Sequence, residues 1–231
     1  MLLQRVDDNL ALLAALFAVI AMIVVGMATP ASAVAGEETP AFAPGEVLVK
    51  FRAGTEASRA VSRSARADPP SLEGLTPTSR LLTEKTGIPL RAKQLLSGDW
   101  VLFVIDLDML TTQASAQLKK QDNVTDVGLE AGETGGVNQP ATKDLDVTFR
   151  PGSPAAELIE ETATADSEKR LAALVEDLGK RLALPFSGKV EAKHLRLRVD
   201  LQKLTAQLAE RLGGFGDMVE NAQLNYIARA M

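Results

Sequence analysis

Apolar and polar residues alternate along one short segment of the chain, and the same alternation returns in its second half. The first segment is Glu46–Thr55 (EVLVKFRAGT) and the second is Asp144–Ser153 (DLDVTFRPGS). A period of two is typical of a strand with one buried face. Thr55 and Ser153 are predicted helix N-caps, because their oxygens can accept from the free N–H groups of a first helical turn. The chain therefore contains an internal duplication.

The two copies stay in step beyond this strand. Ile88-Pro89-Leu90 matches Leu184-Pro185-Phe186. Each match begins a short strand. A Ser-Gly turn joins it to the strand with the clearest apolar pattern of its copy, which we call the strongest strand. The later predicted elements are, in order, that strong strand (Trp100–Leu107; His194–Leu201), a helix starting at Thr111 or Thr205, and a closing strand for the same sheet (Val124–Leu129; Val219–Leu224).

The helical segment after the first strand differs between the copies. In the second copy, apolar residues recur at the spacing of one helical face; they are Leu171, Leu174, Val175, Leu178 and Leu182. In the first copy the pattern breaks at Pro69-Pro70 and restarts at Thr76-Pro77, with Gly87 as the predicted C-cap.

Each copy thus has the order strand, helix, strand, strand, helix, strand. This order predicts an α+β protein made of two tandem ferredoxin-like (βαββαβ, split βαβ) domains, in which two helices cover one face of a four-stranded antiparallel sheet. The predicted domains are residues 45–131 and 144–231, with a linker at 132–143. An N-terminal apolar helix and a flexible lead-in at 34–44 precede them.

The N-terminal segment is predicted to direct export. Leu10–Ala28 is an almost uninterrupted apolar run, and Ala31-Ser32-Ala33 has the small-x-small pattern of a cleavage site. Residues 1–33 are therefore predicted to be a signal peptide of a periplasmic or secreted protein. The apolar run is also long enough to cross a bilayer as a helix, so an uncleaved membrane anchor at residues 10–28 is the alternative.

Composition argues against several functions. Among the 231 residues the net charge is −5, and basic and acidic residues are interspersed, which disfavours nucleic acid as a partner. With no cysteine, the chain cannot supply a thiolate site, and with His194 as its one histidine it is a poor source of zinc ligands. It also has neither a Gly-Thr-Ser nor a His-Gly-Thr-His motif from which a Ser-His-Asp triad could be assembled. We expect no enzyme activity, no catalytic or metal-binding residues and no cofactor. His194 is interpreted as a partly exposed residue at a strand start.

Three motifs of the first copy together resemble the N-terminal propeptide of secreted subtilisin-like serine proteases. They are Pro44–Arg52 (PGEVLVKFR), Leu96–Leu102 (LSGDWVL) and the closing Val124–Val127. The resemblance covers most of residues 44–131, and the second copy is a more distant match that ends in VENAQLNY at 219–226. It implies a protein that inhibits a protease and assists its folding. Such a propeptide packs its open sheet face on the enzyme and lays its C-terminal tail along the substrate cleft.

The two strongest strands predict different outer faces. Their inward positions are apolar in both copies, whereas the outward positions are Trp100, Leu102 and Val104 in the first and His194, Arg196 and Arg198 in the second. An apolar outer face, to which Leu48 also belongs, would be adhesive if left open. A cover is therefore expected, and the candidates are a protease, the sister domain or a second copy of the chain. Arg150, Arg196 and Arg198 are interpreted as a solvated face rather than as a site for an acidic surface.

The free C-terminus supplies the predicted inhibitory tail. Its residues are Tyr226, Ile227, Ala228, Arg229, Ala230 and Met231. The tail and the apolar face fall on different predicted domains. The leading hypothesis is an exported stand-alone propeptide-like protein that binds and inhibits, or helps to fold, a subtilisin-like serine protease in trans. The alternative is a non-inhibitory envelope module, with or without a membrane anchor, that uses its ferredoxin-like domains for self-association or partner binding.

Overall fold

A computed structural model of the chain describes residues 42–132, 143–161 and 164–226. The predicted signal peptide or anchor, its apolar helix and nearly all of the predicted linker lie outside these ranges. The lead-in prediction is wrong at its end, because Phe42–Pro44 already belong to the first strand. No helix within the described ranges has the length and apolar character needed to cross a bilayer.

The described residues form an α+β structure with eight strands and six helices. The first copy contains β1 (Phe42–Phe51), α1 (Glu56–Arg66), α2 (Thr76–Thr86), β2 (Leu90–Leu95), β3 (Trp100–Ile105), α3 (Leu107–Leu118) and β4 (Val124–Ala131). The second copy contains β5 (Lys143–Phe149), α4 (Pro154–Glu160), α5 (Ala165–Leu182), β6 (Phe186–Glu191), β7 (His194–Val199), α6 (Leu201–Gly213) and β8 (Val219–Tyr226).

The predicted signals at the first helices of each copy are confirmed. Thr55 Oγ1 accepts the N–H of Ser58 at 3.1 Å, and Ser153 Oγ accepts the N–H of Ala156 at 3.2 Å. Gly87 ends α2 with a left-handed φ of 72°, a conformation that costs glycine little because it has no Cβ.

The predicted starts of the last helix in each copy are wrong by about one turn. Asp106 caps α3 by accepting the N–H of Met109 at 3.0 Å, and Asp200 caps α6 by accepting the N–H of Lys203 at 3.0 Å. Aspartate is among the strongest N-caps, so each helix begins directly after its aspartate. Leu107 and Leu201, predicted to end strands, are therefore the first helical residues.

The strands form two four-stranded antiparallel sheets, as predicted, but the strand assignment differs from the prediction. Sheet A has the order β2-β3-β1-β8, and sheet B has the order β4-β5-β7-β6. Each sheet thus contains three strands of one copy and the closing strand of the other. The prediction that each copy closes its own sheet is wrong, because β8 pairs with β1 and β4 pairs with β5.

The last helix of each copy crosses over together with its strand. Helix α6 packs on β1 and β8 of sheet A, and α3 packs on β4 and β5 of sheet B. The exchanged unit is therefore a helix plus a strand. Residues 45–131 and 144–231 delimit the repeats in the sequence, whereas each sheet draws on both. All described residues belong to one compact unit.

Equivalent hydrogen bonds fix the two exchanged strands. The N–H of Arg52, just after β1, donates to the carbonyl of Met218 at 2.9 Å, and the N–H of Arg150, just after β5, donates to the carbonyl of Asn123 at 2.8 Å. Arg52 and Arg150 occupy the same repeat position, so the exchange is reciprocal.

The connection before each exchanged helix is a single residue. Only Asp106 separates β3 from α3, and only Asp200 separates β7 from α6. The inward side chains of both sheets, including Val49, Phe103 and Leu197, join one continuous core with the helices.

Candidate functional site

The outer face of sheet A is the side opposite the helices. The strand register aligns Glu46 with Val104, Leu48 with Leu102, and Lys50 with Trp100. Alternate residues of these strands point into the core, so these six point outward, as the period of two requires. The predicted docking residues Trp100, Leu102, Val104 and Leu48 therefore lie together on one face.

The apolar part of this face is less accessible than the sequence indicated. Leu102 is 6% exposed and Val104 is 9% exposed, whereas Trp100 and Leu48 are half-buried. The two central side chains are thus already covered within the chain. Trp100 and Leu48 form the accessible apolar surface.

A polar contact crosses the outer face of sheet A from β2 to β8. Lys93 on β2 pairs with the Glu46 carboxylate on β1, and Asn225 on β8 donates its amide to the same carboxylate at 2.6 Å. Strand β3 lies between β2 and β1, and Val104 is aligned with Glu46. The Lys93–Glu46 pair therefore passes over β3 close to Val104 and contributes to its burial.

The exchange brings the predicted tail and the predicted docking face to the same sheet. The described part of the tail ends at Tyr226, which is 53% exposed and is aligned with Phe42 of β1. Ile227–Met231 lie outside the described residues. The expectation that tail and face sit on different domains is wrong, since β8 is a strand of sheet A.

The outer face of sheet B is polar, and its arginines are paired. Arg196 makes two hydrogen bonds to the Asp146 carboxylate, at 2.8 and 3.0 Å, and a third to Glu130 at 2.7 Å. Arg198 makes two to Asp144, at 2.9 and 2.7 Å. The hydrogen bonds from Arg196 lower the pKa of Asp146, while its partial burial acts in the opposite direction. These arginines are therefore engaged within the chain.

The same positions carry different chemistry in the two sheets. Leu48 opposite Leu102 in sheet A corresponds to Asp146 opposite Arg196 in sheet B. The outward position of the arginines was predicted, whereas their partners Asp144 and Asp146 were not. The sequence does contain a signal for these partners, because both aspartates occupy outward positions of β5, the strand that pairs with β7. His194 is exposed at the start of β7, as predicted, and its Nδ1 lies 2.9 Å from Thr148 Oγ1.

Candidate metal-binding clusters do not appear in the described ranges. There, no three His, Cys, Asp or Glu side chains cluster closely enough to hold a metal ion, and no buried side-chain polar atom lacks a hydrogen-bond partner. Two open clefts of about 540 and 590 Å³ lie at equivalent repeat positions, beside α2 and α5. Asp106 and Asp200 line these clefts, and each carboxylate already accepts a backbone N–H as a helix N-cap.

Comparison of the chain with protein-family models, with curated proteins and with solved structures gave no match. The resemblance to subtilisin-like protease propeptides therefore stays a prediction.

Proposed function

We propose that this protein binds a subtilisin-like serine protease in trans, and inhibits it or assists its folding. In this proposal the outer face of sheet A docks on the protease, and Tyr226–Met231 extend along the substrate cleft. The observation that carries the proposal is the pairing of β8 with β1. Because of this pairing, the predicted tail follows a strand of the sheet that bears Trp100 and Leu48, and in this proposal a single partner contacts both.

We also propose that each sheet and its helices form a ferredoxin-like layer. The order β2-β3-β1-β8 supports this assignment, since it corresponds to the split βαβ order with the closing strand supplied by the other copy. Sheet B has the same order read from its other edge. The propeptide resemblance implies the same layer, with its helix-free face available for docking.

In this proposal the accessible apolar surface contributes part of the binding energy. Fully burying a large apolar side chain contributes about 1.5–3 kcal/mol, and aromatic residues are enriched among the residues that dominate binding energies. Trp100 and Leu48 are half-buried in the free chain, so a partner can bury the remainder. Leu102 and Val104 lie on the same face but are already buried within the chain, so in this proposal they add little contact area.

The tail is suited to strand addition. An extended segment can pair through its backbone with the edge of a partner's substrate cleft, and alternate side chains then occupy its subsites. β8 is already extended up to Tyr226. The tail therefore needs only to continue in the same direction. Export, through a cleaved signal peptide or a membrane anchor at residues 10–28, places the protein where secreted proteases act, and the mass of the mature N-terminus distinguishes the two.

Titration of a panel of subtilisin-like proteases with the purified chain tests the proposal. We expect inhibition, or faster refolding of a denatured protease, that weakens when residues 227–231 are removed and when Trp100 is replaced (Trp100→Ser). The matched control is His194→Ser, at the equivalent position of sheet B, which should leave both effects unchanged. Absence of inhibition and of folding assistance with the native chain would refute the proposal.

A further inference from the structure

The four edge strands differ in how they are protected against pairing with another chain. Charged residues, bulges and short length commonly protect sheet edges. β2 carries Arg91 and Lys93, β4 carries Asp126 and Glu130, and β6 carries Lys189 and Glu191. β8 carries only Glu220, and its last six residues, Asn221–Tyr226, are uncharged. Within the described residues, β8 pairs with β1 alone.

Within the uncharged part of β8, the order of amide and apolar residues at 221–225 (NAQLN) is the same in both chain directions. Asn221, Gln223 and Asn225 carry side-chain amides, and Ala222 and Leu224 between them are apolar. Ala222 and Leu224 are aligned with Val49 and Val47, whose side chains lie in the core. The amides therefore belong to the outer face, and those of Asn221 and Gln223 are exposed.

We propose that β8 pairs antiparallel with β8 of a second copy of this chain, centred on Gln223. In this register Gln223 faces its own counterpart, Asn221 faces Asn225, and Ala222 faces Leu224. Amide side chains both donate and accept hydrogen bonds, so each amide meets a complementary group. The two copies of sheet A then form one continuous sheet about a twofold axis, the commonest symmetry of soluble homo-oligomers.

The one charge on β8 is compatible with this pairing. Glu220 lies where the β1–β8 register shifts, and its carboxylate is 2.7 Å from Lys50 Nζ on its own sheet. In the proposed register it faces Tyr226 of the second copy, so no like charges oppose each other. This inference does not depend on protease binding.

Sedimentation velocity of the full chain over a range of concentrations tests the proposal. We expect a monomer–dimer equilibrium in the native protein. The Gln223→Lys variant places two positive charges opposite each other at the twofold axis, which destabilises strand pairing. Its dimer dissociation constant should rise by about tenfold or more, the effect of roughly 1.4 kcal/mol. The control is Gln94→Lys, which introduces the same charge on the opposite edge strand of sheet A and should leave the equilibrium unchanged.

A charge-swap experiment isolates the predicted contact. Gln223→Lys and Gln223→Glu should each be mostly monomeric, and an equimolar mixture of the two should form a heterodimer. Circular dichroism identifies any variant that fails to fold, and the other variant then carries the comparison with the native chain. A native chain that stays monomeric at all concentrations, equal effects at positions 94 and 223, or a mixture that dimerises no better than its components would each overturn the proposal.

Discussion

The backbone N–H of Gly45 donates a 2.7 Å hydrogen bond to the side-chain oxygen of Thr205, a residue 160 positions further along the chain. Gly45 lies in β1, and Thr205 lies in α6 of the other repeat. Both residues are buried. This hydrogen bond exists only because α6 and β8 cross to sheet A, so it reports directly on the exchange.

Replacing Thr205 with valine should destabilise the protein. The Thr205→Val variant keeps the side-chain shape but leaves the buried N–H of Gly45 without its acceptor, which costs about 1–3 kcal/mol. The matched control is Thr111→Val in α3, because the hydroxyl of Thr111 bonds only to carbonyls of its own helix among the described contacts. Urea unfolding should show a larger loss for Thr205→Val, and equal losses would contradict the proposed role of the Gly45–Thr205 bond.

The pair of Asp146 and Arg196 should show strong energetic coupling. Either single replacement by leucine leaves a partly buried charge without its main partner, whereas the double variant reproduces the Leu48–Leu102 pair of sheet A. Residues in direct contact typically couple by about 0.5–3 kcal/mol in a double-mutant cycle.

The exposed pair of Glu176 and Lys180 on α5 is a control for this cycle. Exposed pairs at this helical spacing couple by about 0.3–0.5 kcal/mol. Strictly additive free energies of unfolding for Asp146→Leu and Arg196→Leu would show that the Asp146–Arg196 pair contributes no coupling.

Acid should weaken the protein partly through Asp146. Arg196 lowers the pKa of Asp146 in the folded state. The stabilisation that the ionised Asp146 gives the folded state is therefore complete above the ordinary aspartate pKa of about 3.9. It is lost as the pH falls through the lower folded-state pKa. Free energies of unfolding measured along a pH series should therefore decline less steeply below that value in Asp146→Asn than in the native chain. Identical slopes would exclude this contribution.

The C-caps of α2 and α5 offer a reciprocal test of backbone strain. Gly87 has a φ of 72° and Ala183, at the equivalent position, has a φ of 53°. A left-handed conformation costs a non-glycine residue about 1–2 kcal/mol. Ala183→Gly should therefore stabilise the protein and Gly87→Ala should destabilise it by similar amounts in thermal or urea unfolding. Destabilisation by Ala183→Gly would contradict this explanation, since Ala183 is exposed and loses no packing.

Local structure could be predicted well because its determinants are local. The alternation around Val47 and Leu145 identifies the first strand of each copy, and the capping residues Thr55 and Ser153 identify the helices that follow. The predicted starts of α3 and α6 at Thr111 and Thr205 are wrong because Asp106 and Asp200 are the capping residues.

The exchange could not be predicted in the same way. The closing strands beginning at Val124 and Val219 have similar apolar alternation, and each sheet offers an equivalent place beside its first strand. A period-two pattern fixes which face of a strand is buried but not which of two similar sheets receives it. For the same reason, the sequence could not show that the predicted tail and the predicted docking face belong to the same sheet. The pairing of Asp146 with Arg196 depends on the register between β5 and β7, which the alternation within each strand does not specify.

The absence of native cysteine makes the exchange directly measurable. Lys50 of β1 is aligned with Asn221 of β8, and Thr148 of β5 is aligned with Asp126 of β4. Directly opposed residues on antiparallel strands have Cα atoms about 4.5–5.5 Å apart, within the range that a disulfide spans. In a chain whose copies closed their own sheets, Lys50 would instead face Asp126.

Disulfide trapping therefore tests the central claim most directly. The chain carrying Lys50→Cys and Asn221→Cys should oxidise to an intramolecular disulfide in the folded monomer, identified by peptide mass mapping. The chain carrying Lys50→Cys and Asp126→Cys should remain reduced under the same conditions. Efficient closure of the Lys50→Cys/Asp126→Cys disulfide, with none in Lys50→Cys/Asn221→Cys, would show that each repeat closes its own sheet and would contradict the exchange.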